Sequence, residues 1–247
     1  MTALVALTER VIVSTVRDRD ILFAILAPVV TFIGFTIVLQ NVIDTGGISY
    51  AQYVLPAVVV QAMLLGAMTT AERAAKDQRA DFGMRLRTLP ISAAVPLAAR
   101  MLYCLLRGLL ALVAAVAVAY VFGFRMSGGF GYGAAFVVVA LMLTLALSLG
   151  ADATGSIGWR LDAASQLLLV PQLLLVLLST GVAPAESFPD WIQPFVVHQP
   201  ISQVTETLRG FASGDVVTGN LAATLAWCVG MLVVFGALAL RLQRRTE

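Results

Sequence analysis

The stretch "ILFAILAPVVTFIGFTIVLQ", Ile21 to Gln40, holds twenty residues without a charge. A hydrocarbon core about 30 Å thick takes roughly 20 helical residues to cross, so the stretch has the length of one crossing. Its apolar side chains run on continuously, without the alternation of a barrel strand. In lipid, every backbone N–H and C=O must be satisfied within the segment. Ile21 to Gln40 therefore reads as a transmembrane α-helix.

Five more runs of this kind follow: about Tyr53–Thr70, Arg100–Phe124, Tyr132–Gly150, Ala164–Ala183 and Leu221–Leu240. The 247 residues are 60% hydrophobic and 12% charged, where a soluble domain carries about 25% charged. The expected fold class is all-α: a single polytopic domain of six transmembrane helices. Arg10, Arg17 and Arg19 precede the first run, which has no small-residue cleavage site after a short apolar core, so it reads as a retained signal-anchor. Residues 1–20 place Leu4, Leu7 and Val11 on one side with arginines beside them, the pattern of an interfacial helix.

Six crossings put both termini on one side, and cation bias says which side that is. Of the 16 Lys and Arg residues, only Arg125 and Arg209 fall opposite the termini. Both termini are therefore expected in the cytoplasm, and the connection 184–219 outside. The net charge of +2 follows from this basic inner face. No basic stripe interleaved with aromatics appears, so a nucleic-acid partner is not indicated.

Several chemistries lack their residues. A phosphate-binding loop needs a lysine after a glycine-rich turn, and Lys76, the one lysine, follows "AERAA". One histidine and two separated cysteines, Cys104 and Cys228, make no zinc or disulfide pattern. The glycines of "GADATGSIGW" (Gly150–Trp159) are in the wrong order for a nucleophile elbow and read as a tight loop. His198 and Ser202 could share a helix face as base and nucleophile, but Pro200 stands between them and disfavours one continuous helix.

The inner loop 72–90, "ERAAKDQRADFGMRLRTLP", is the most charged stretch. Glu72 with Lys76 and Asp81 with Arg85 are favourable i,i+4 pairs, and Phe82, Leu86 and Leu89 share a face. Such a helix is either solvated at the headgroups or a docking element for a cytoplasmic partner. Arg100 and Arg107, seven residues apart, also allow two readings. They either snorkel to headgroups or face an inner cavity, where Arg107 meets an anionic part of cargo or a carboxylate such as Asp152. Outside, Pro189, Pro194 and Pro200 break "ESFPDWIQPFVVHQPIS" (Glu186–Ser202) into short helices, with Phe188, Trp191 and Phe195 at interface depth and a second helix after Pro200 ending near Gly210 or Gly214.

Three stretches carry a family likeness: "DFGMRLRTLPIS" (Asp81–Ser92), "GFR" (Gly123–Arg125) and "STGVAPAESFPDWIQPFVVHQPISQVTETLRGFASG" (Ser179–Gly214). Together they resemble the permease subunit of ABC-2 type transporters, in particular the daunorubicin-resistance-like permeases of actinobacteria. The chain departs from that pattern upstream of Gly83, where relatives are richer in Glu and Arg and this chain has "KDQRAD".

The resemblance implies a half-transporter exporting a hydrophobic or amphipathic cargo: a complex lipid, a glycolipid or a polyketide-like drug. It implies two copies of a separate ATPase that holds ATP and Mg, a second permease that is identical or related, and no cofactor in this chain. It assigns ATPase coupling to Lys76, Arg79, Phe82, Gly83, Arg85, Leu86 and Arg87; on the inner-cavity reading, Arg100 and Arg107 lie on the cargo path. Phe188, Pro189, Trp191, Pro194, Phe195, His198, Pro200 and Arg209 fall in an extracellular cap or gate, where His198 serves as a hydrogen-bonding residue. Two other classes fit parts of the sequence: a membrane scaffold without a cargo path, and a membrane-embedded hydrolase using His198.

Overall fold

The computed structural model describes residues 20–40, 49–79, 94–156 and 161–245. Among these the protein is all-α. Five long helices are α1 (Asp20–Leu39), α2 (Tyr50–Arg79), α3 (Ala94–Val121), α4 (Gly129–Gly155) and α8 (Thr218–Arg245). Between α4 and α8 come α5 (Leu161–Leu177), a 3₁₀ turn (Ala185–Ser187), α6 (Gln193–His198) and α7 (Pro200–Ser213). The expected interfacial helix at residues 1–20 lies outside the described residues, apart from Asp20.

Five of the described helices are long and apolar enough to cross a membrane. The fifth apolar run behaves differently. The sequence expects a span over 164–183, but α5 ends at Leu177, and its 17 residues rise only about 25 Å. The chain then turns: Ser179 Oγ donates to the Val176 carbonyl at 2.7 Å and Val182 N to the Ser179 carbonyl at 3.2 Å. A serine that takes a local carbonyl in this way competes with helix propagation.

α2 is the axis of the bundle, packing on α4 most extensively and also on α1, α3, α5 and α7. Ser49 caps it, its Oγ accepting from Gln52 N at 3.3 Å. Its 30 residues rise about 45 Å, well beyond a hydrocarbon core, so one end must project. That end is the first part of the charged stretch 72–90: residues 72–79 continue α2 without a break. Pro28, Pro56 and Pro171 are accommodated inside α1, α2 and α5.

The core is built from Phe32, Leu55, Met63, Phe124, Phe136 and Leu208 with valines from α2, all almost fully buried. The outward faces are as apolar as the core: Phe23, Val30 and Ile37 of α1, and Val229, Val233 and Val234 of α8, are exposed. Continuous exposed apolar faces on long helices mark contact with lipid or another chain. The tight loop expected from Gly150 does not start there. α4 runs on through Gly155 and Ser156 closes it, its Oγ donating to the Asp152 carbonyl at 2.7 Å.

Candidate functional site

Two polar clusters sit at opposite ends of this apolar bundle. The first is made of charge. Asp20, the first residue of α1, accepts from Arg73 of α2 at 3.2 Å, and from Tyr103 Oη at 2.9 Å and Arg107 Nε at 3.2 Å, both of α3. The Arg73 guanidinium also lies over the Tyr103 ring, 4.9 Å from its centroid. Beside this group, Arg100 of α3 grips Asp152 of α4 with two hydrogen bonds, at 2.7 and 3.2 Å. Three arginines and two carboxylates thereby join α1, α2, α3 and α4.

Burial gives these contacts weight. Arg107 is 7% exposed and Asp152 0%, and charges taken out of water are tolerated only when paired and hydrogen-bonded. Arg107 thus turns into the bundle rather than snorkelling out, and its carboxylate is Asp20, since Asp152 is engaged by Arg100. Gly66 of α2 makes room for it, because a Cβ there would stand 2.7 Å from Arg107 Nη1. Next to the guanidinium is a cavity of about 10 Å³ lined by Gly66, Cys104, Arg107, Gly108, Thr144 and Ser148 among others, about the space of one water.

The second cluster holds α7 into the other end of the bundle. Pro200 starts α7 and Gly214 ends it, at φ +85° with its N–H on the Gly210 carbonyl. That backbone angle suits glycine. α7 packs against α2, α4 and α8, and buries Ser202, Thr205 and Thr207 as well as Val204 and Leu208. Ser202 Oγ accepts from Thr180 N at 3.1 Å and from Gln199 Nε2 at 3.2 Å, and Gln199 Nε2 also reaches the Leu178 carbonyl. Thr207 and Thr224 share a hydrogen bond at 2.8 Å that ties α7 to α8.

Arg209 is the centre of this seam. It pairs with Glu206 at 2.6 Å, donates to the carbonyls of Tyr53 and Thr180 at 3.2 and 3.4 Å, and lies 4.0 Å from the Tyr53 ring centroid. Tyr53 Oη in turn donates to the Thr180 carbonyl at 3.0 Å. The planar guanidinium suits such a site because it stacks and donates at the same time.

The other residues singled out in the sequence fall as follows. Lys76 is exposed near the end of α2, and Arg79 is that helix's last residue. Phe82, Gly83, Arg85, Leu86 and Arg87 lie outside the described residues. Phe188 is half-buried, with its carbonyl accepting from Gln193 Nε2 at 2.9 Å, and Pro189 begins the turn into α6. Pro194 lies in the first turn of α6, Trp191 is 80% exposed, and Phe195 is exposed as well. His198 is exposed and donates from Nδ1 to the Pro194 carbonyl at 2.8 Å. Ser202 is fully buried and engaged by Thr180, so the two are not arranged as base and nucleophile.

Sequence reasoning missed Asp20, Arg73 and Tyr103 at one end, and Tyr53, Thr180 and Glu206 at the other. The available signal was a carboxylate next to an apolar run, as at Asp20 and Asp152, which demands a partner in a membrane protein. The described residues hold no group of three or more His, Cys, Asp or Glu side chains placed to share a metal ion.

A polytopic bundle with a projecting central helix, broken helices at one end and buried charge at the other narrows the field, and the sequence comparison decides the family. The ABC-2 type transporter profile matches residues 2–211. The chain belongs to the ABC-2 type transporter family. This makes it a multi-pass membrane protein and an ABC permease chain. The family member is similar to the doxorubicin resistance ABC transporter permease protein DrrB of Mycobacterium tuberculosis, 31% identical over 242 residues, covering 92% of this chain and 84% of that one. It is also similar to the daunorubicin resistance ABC transporter permease protein DrrB1 of Streptomyces coeruleorubidus, 28% identical over 223 residues, with 89% and 78% covered. A shorter match, 44% identical over 63 residues, is to the "Probable doxorubicin resistance ABC transporter permease protein DrrC" of Mycobacterium tuberculosis, of which this ABC-2 chain spans 23%.

Proposed function

We propose that the chain is the membrane-spanning subunit of an ATP-driven exporter that moves a hydrophobic or amphipathic cargo out of the cytoplasmic membrane. The observation that carries this reading is the family match across most of the chain, to relatives named as drug-resistance permeases. In this reading the apolar run at 164–183 completes six crossings, with both termini in the cytoplasm. Two copies of a separate ATPase bind ATP and Mg, and a second permease, identical or related, completes the pathway.

On this account the projecting end of α2 is the lever. Nucleotide must favour one arrangement of the helices through differential contacts, and residues 72–90 are where an ATPase can reach them. Lys76 and Arg79 on α2, followed by Phe82, Arg85, Leu86 and Arg87, form the docking element. Movement of α2 is felt at once by the charge cluster, because Arg73 lies one turn from Lys76 and holds Asp20 of α1. The polar seam around Arg209 closes the outer end, and α6 with Trp191 and Phe195 rests in the outer leaflet.

The test is copurification with the ATPase. The wild-type chain is expected to bring it down, while Phe82→Asp and Arg85→Glu insert normally in the membrane and lose it. If both variants retain the ATPase and transport at the normal rate, the docking assignment fails. A chain that never associates with an ATPase is a scaffold rather than a permease.

A further inference from the structure

Five buried side-chain atoms among the described residues have no hydrogen-bond partner within the protein, and four of them belong to one seam: Thr180 Oγ1, Gln199 Oε1, Gln203 Oε1 and Arg209 Nε. Folded proteins seldom leave such atoms unpaired, so four together call for an explanation. Thr180, Gln199 and Gln203 are 7%, 3% and 7% exposed. They are neighbours. Ser202 Oγ bridges Thr180 N and Gln199 Nε2, Arg209 reaches the Thr180 carbonyl, and Gln203 N bonds the Gln199 carbonyl one turn along α7.

The chemistry of the four atoms limits what complements them. An amide oxygen only accepts, a guanidinium N–H only donates, and a threonine hydroxyl does both. An anion would suit Arg209 Nε but oppose both amide oxygens and the adjacent Glu206. An ammonium group would suit the oxygens but face Arg209. An uncharged O–H group both donates and accepts, and so matches the hydrogen-bonding character of each of the four.

We propose that this seam binds the hydroxyl-bearing end of an amphipathic molecule, with Gln199 and Gln203 accepting from its hydroxyls and Arg209 Nε donating to a hydroxyl oxygen. That the molecule is cargo rests on the export reading above. Entry requires α7 to draw back from Thr180, and the bonds formed with the hydroxyls offset the parting of Ser202 from Thr180 N. Water offers the same O–H chemistry, and the test separates the two sources.

The probe is radiolabelled monogalactosyl diacylglycerol, with its per-O-methylated analogue as competitor, on the permease–ATPase complex in phosphatidylcholine nanodiscs. Binding is expected to be saturable and not displaced by the methylated lipid. Thr180→Val, which is isosteric and keeps the backbone N and O that bond Ser202 and Arg209, should weaken it about tenfold, the scale of one hydrogen bond in a buried site. Gln203→Leu should do the same. No saturable binding, equal competition by the methylated lipid, or unchanged affinity in both variants means that the seam holds water only and overturns the proposal. ATP hydrolysis measured in parallel keeps the two readings apart. Hydroxyl-dependent binding without stimulation keeps the site and removes export as its purpose, whereas equal stimulation by the methylated lipid keeps export and removes the site.

Discussion

Arg107 of α3 and Asp20 at the start of α1 meet at 3.2 Å across 87 positions of sequence. The same carboxylate holds Arg73 of α2, so a single side chain ties the peripheral first helix to two others. An apolar helix in lipid has no hydrophobic incentive to stay with its neighbours, and packing and polar contacts must hold it there. The Asp20 cluster does so at one end of the bundle, as the Arg209 seam does for α7 at the other.

Asp20→Asn keeps the shape of the side chain and removes its charge, leaving Arg107 buried without its counter-ion. A loss of about 3–5 kcal/mol is expected, the usual cost of breaking a buried pair from one side. Adding Arg107→Gln should recover part of it, because the stranded charge is then gone. Unfolding in mixed detergent micelles measures the cycle, and simple additivity of the two changes would mean that they do not interact.

Gly66→Ala places a methyl group 2.7 Å from Arg107 Nη1. Crowding of this kind costs about 1–3 kcal/mol, here through displacement of the guanidinium from Asp20. In an Arg107→Gln background the shorter side chain should make the same change nearly neutral. An equal penalty in both backgrounds would place the strain elsewhere on α2.

Arg209→Lys preserves charge but not the flat group that stacks on Tyr53 and bonds two carbonyls. A loss of about 1–3 kcal/mol is expected, since an ammonium cannot replace those contacts together. Faster proteolytic nicking at the exposed Glu186–Ser187 should accompany it. Unchanged nicking would mean that the apolar face and the Ser202 and Thr207 bonds hold α7 without Arg209.

Orientation can be read with a membrane-impermeant maleimide on intact cells. Cys104 and Cys228 are buried, so background labelling should be low. Trp191→Cys is expected to label from outside, and Lys76→Cys only after the membrane is opened. The reverse pattern would invert the proposed topology.

The helices were legible because an apolar run of crossing length has few alternatives, and the starts of α6 and α7 because proline fits the first turn of a helix, where its missing N–H leaves no bond unmade. The end of α5 was not, since the chain stays uncharged through Ala183 and the turn from Ser179 to Val182 falls within that same run. The arginine partners were not legible either. Asp152 is as near as Asp20 by any rule of composition, and helix packing alone decides that Arg100 takes the first and Arg107 the second. The burial of α7 was not legible from its Ser, Thr and Gln content, since these side chains find their partners on Thr180 and Thr224, far along the chain.

Export is decided by ATP hydrolysis of the complex reconstituted in nanodiscs, measured with and without cargo. An amphipathic lipid or drug is expected to raise the rate in the wild-type complex, and Arg85→Glu to abolish the stimulation while the chain still inserts in the membrane. A rate indifferent to every amphipathic compound, and unchanged when this chain is omitted, would contradict it.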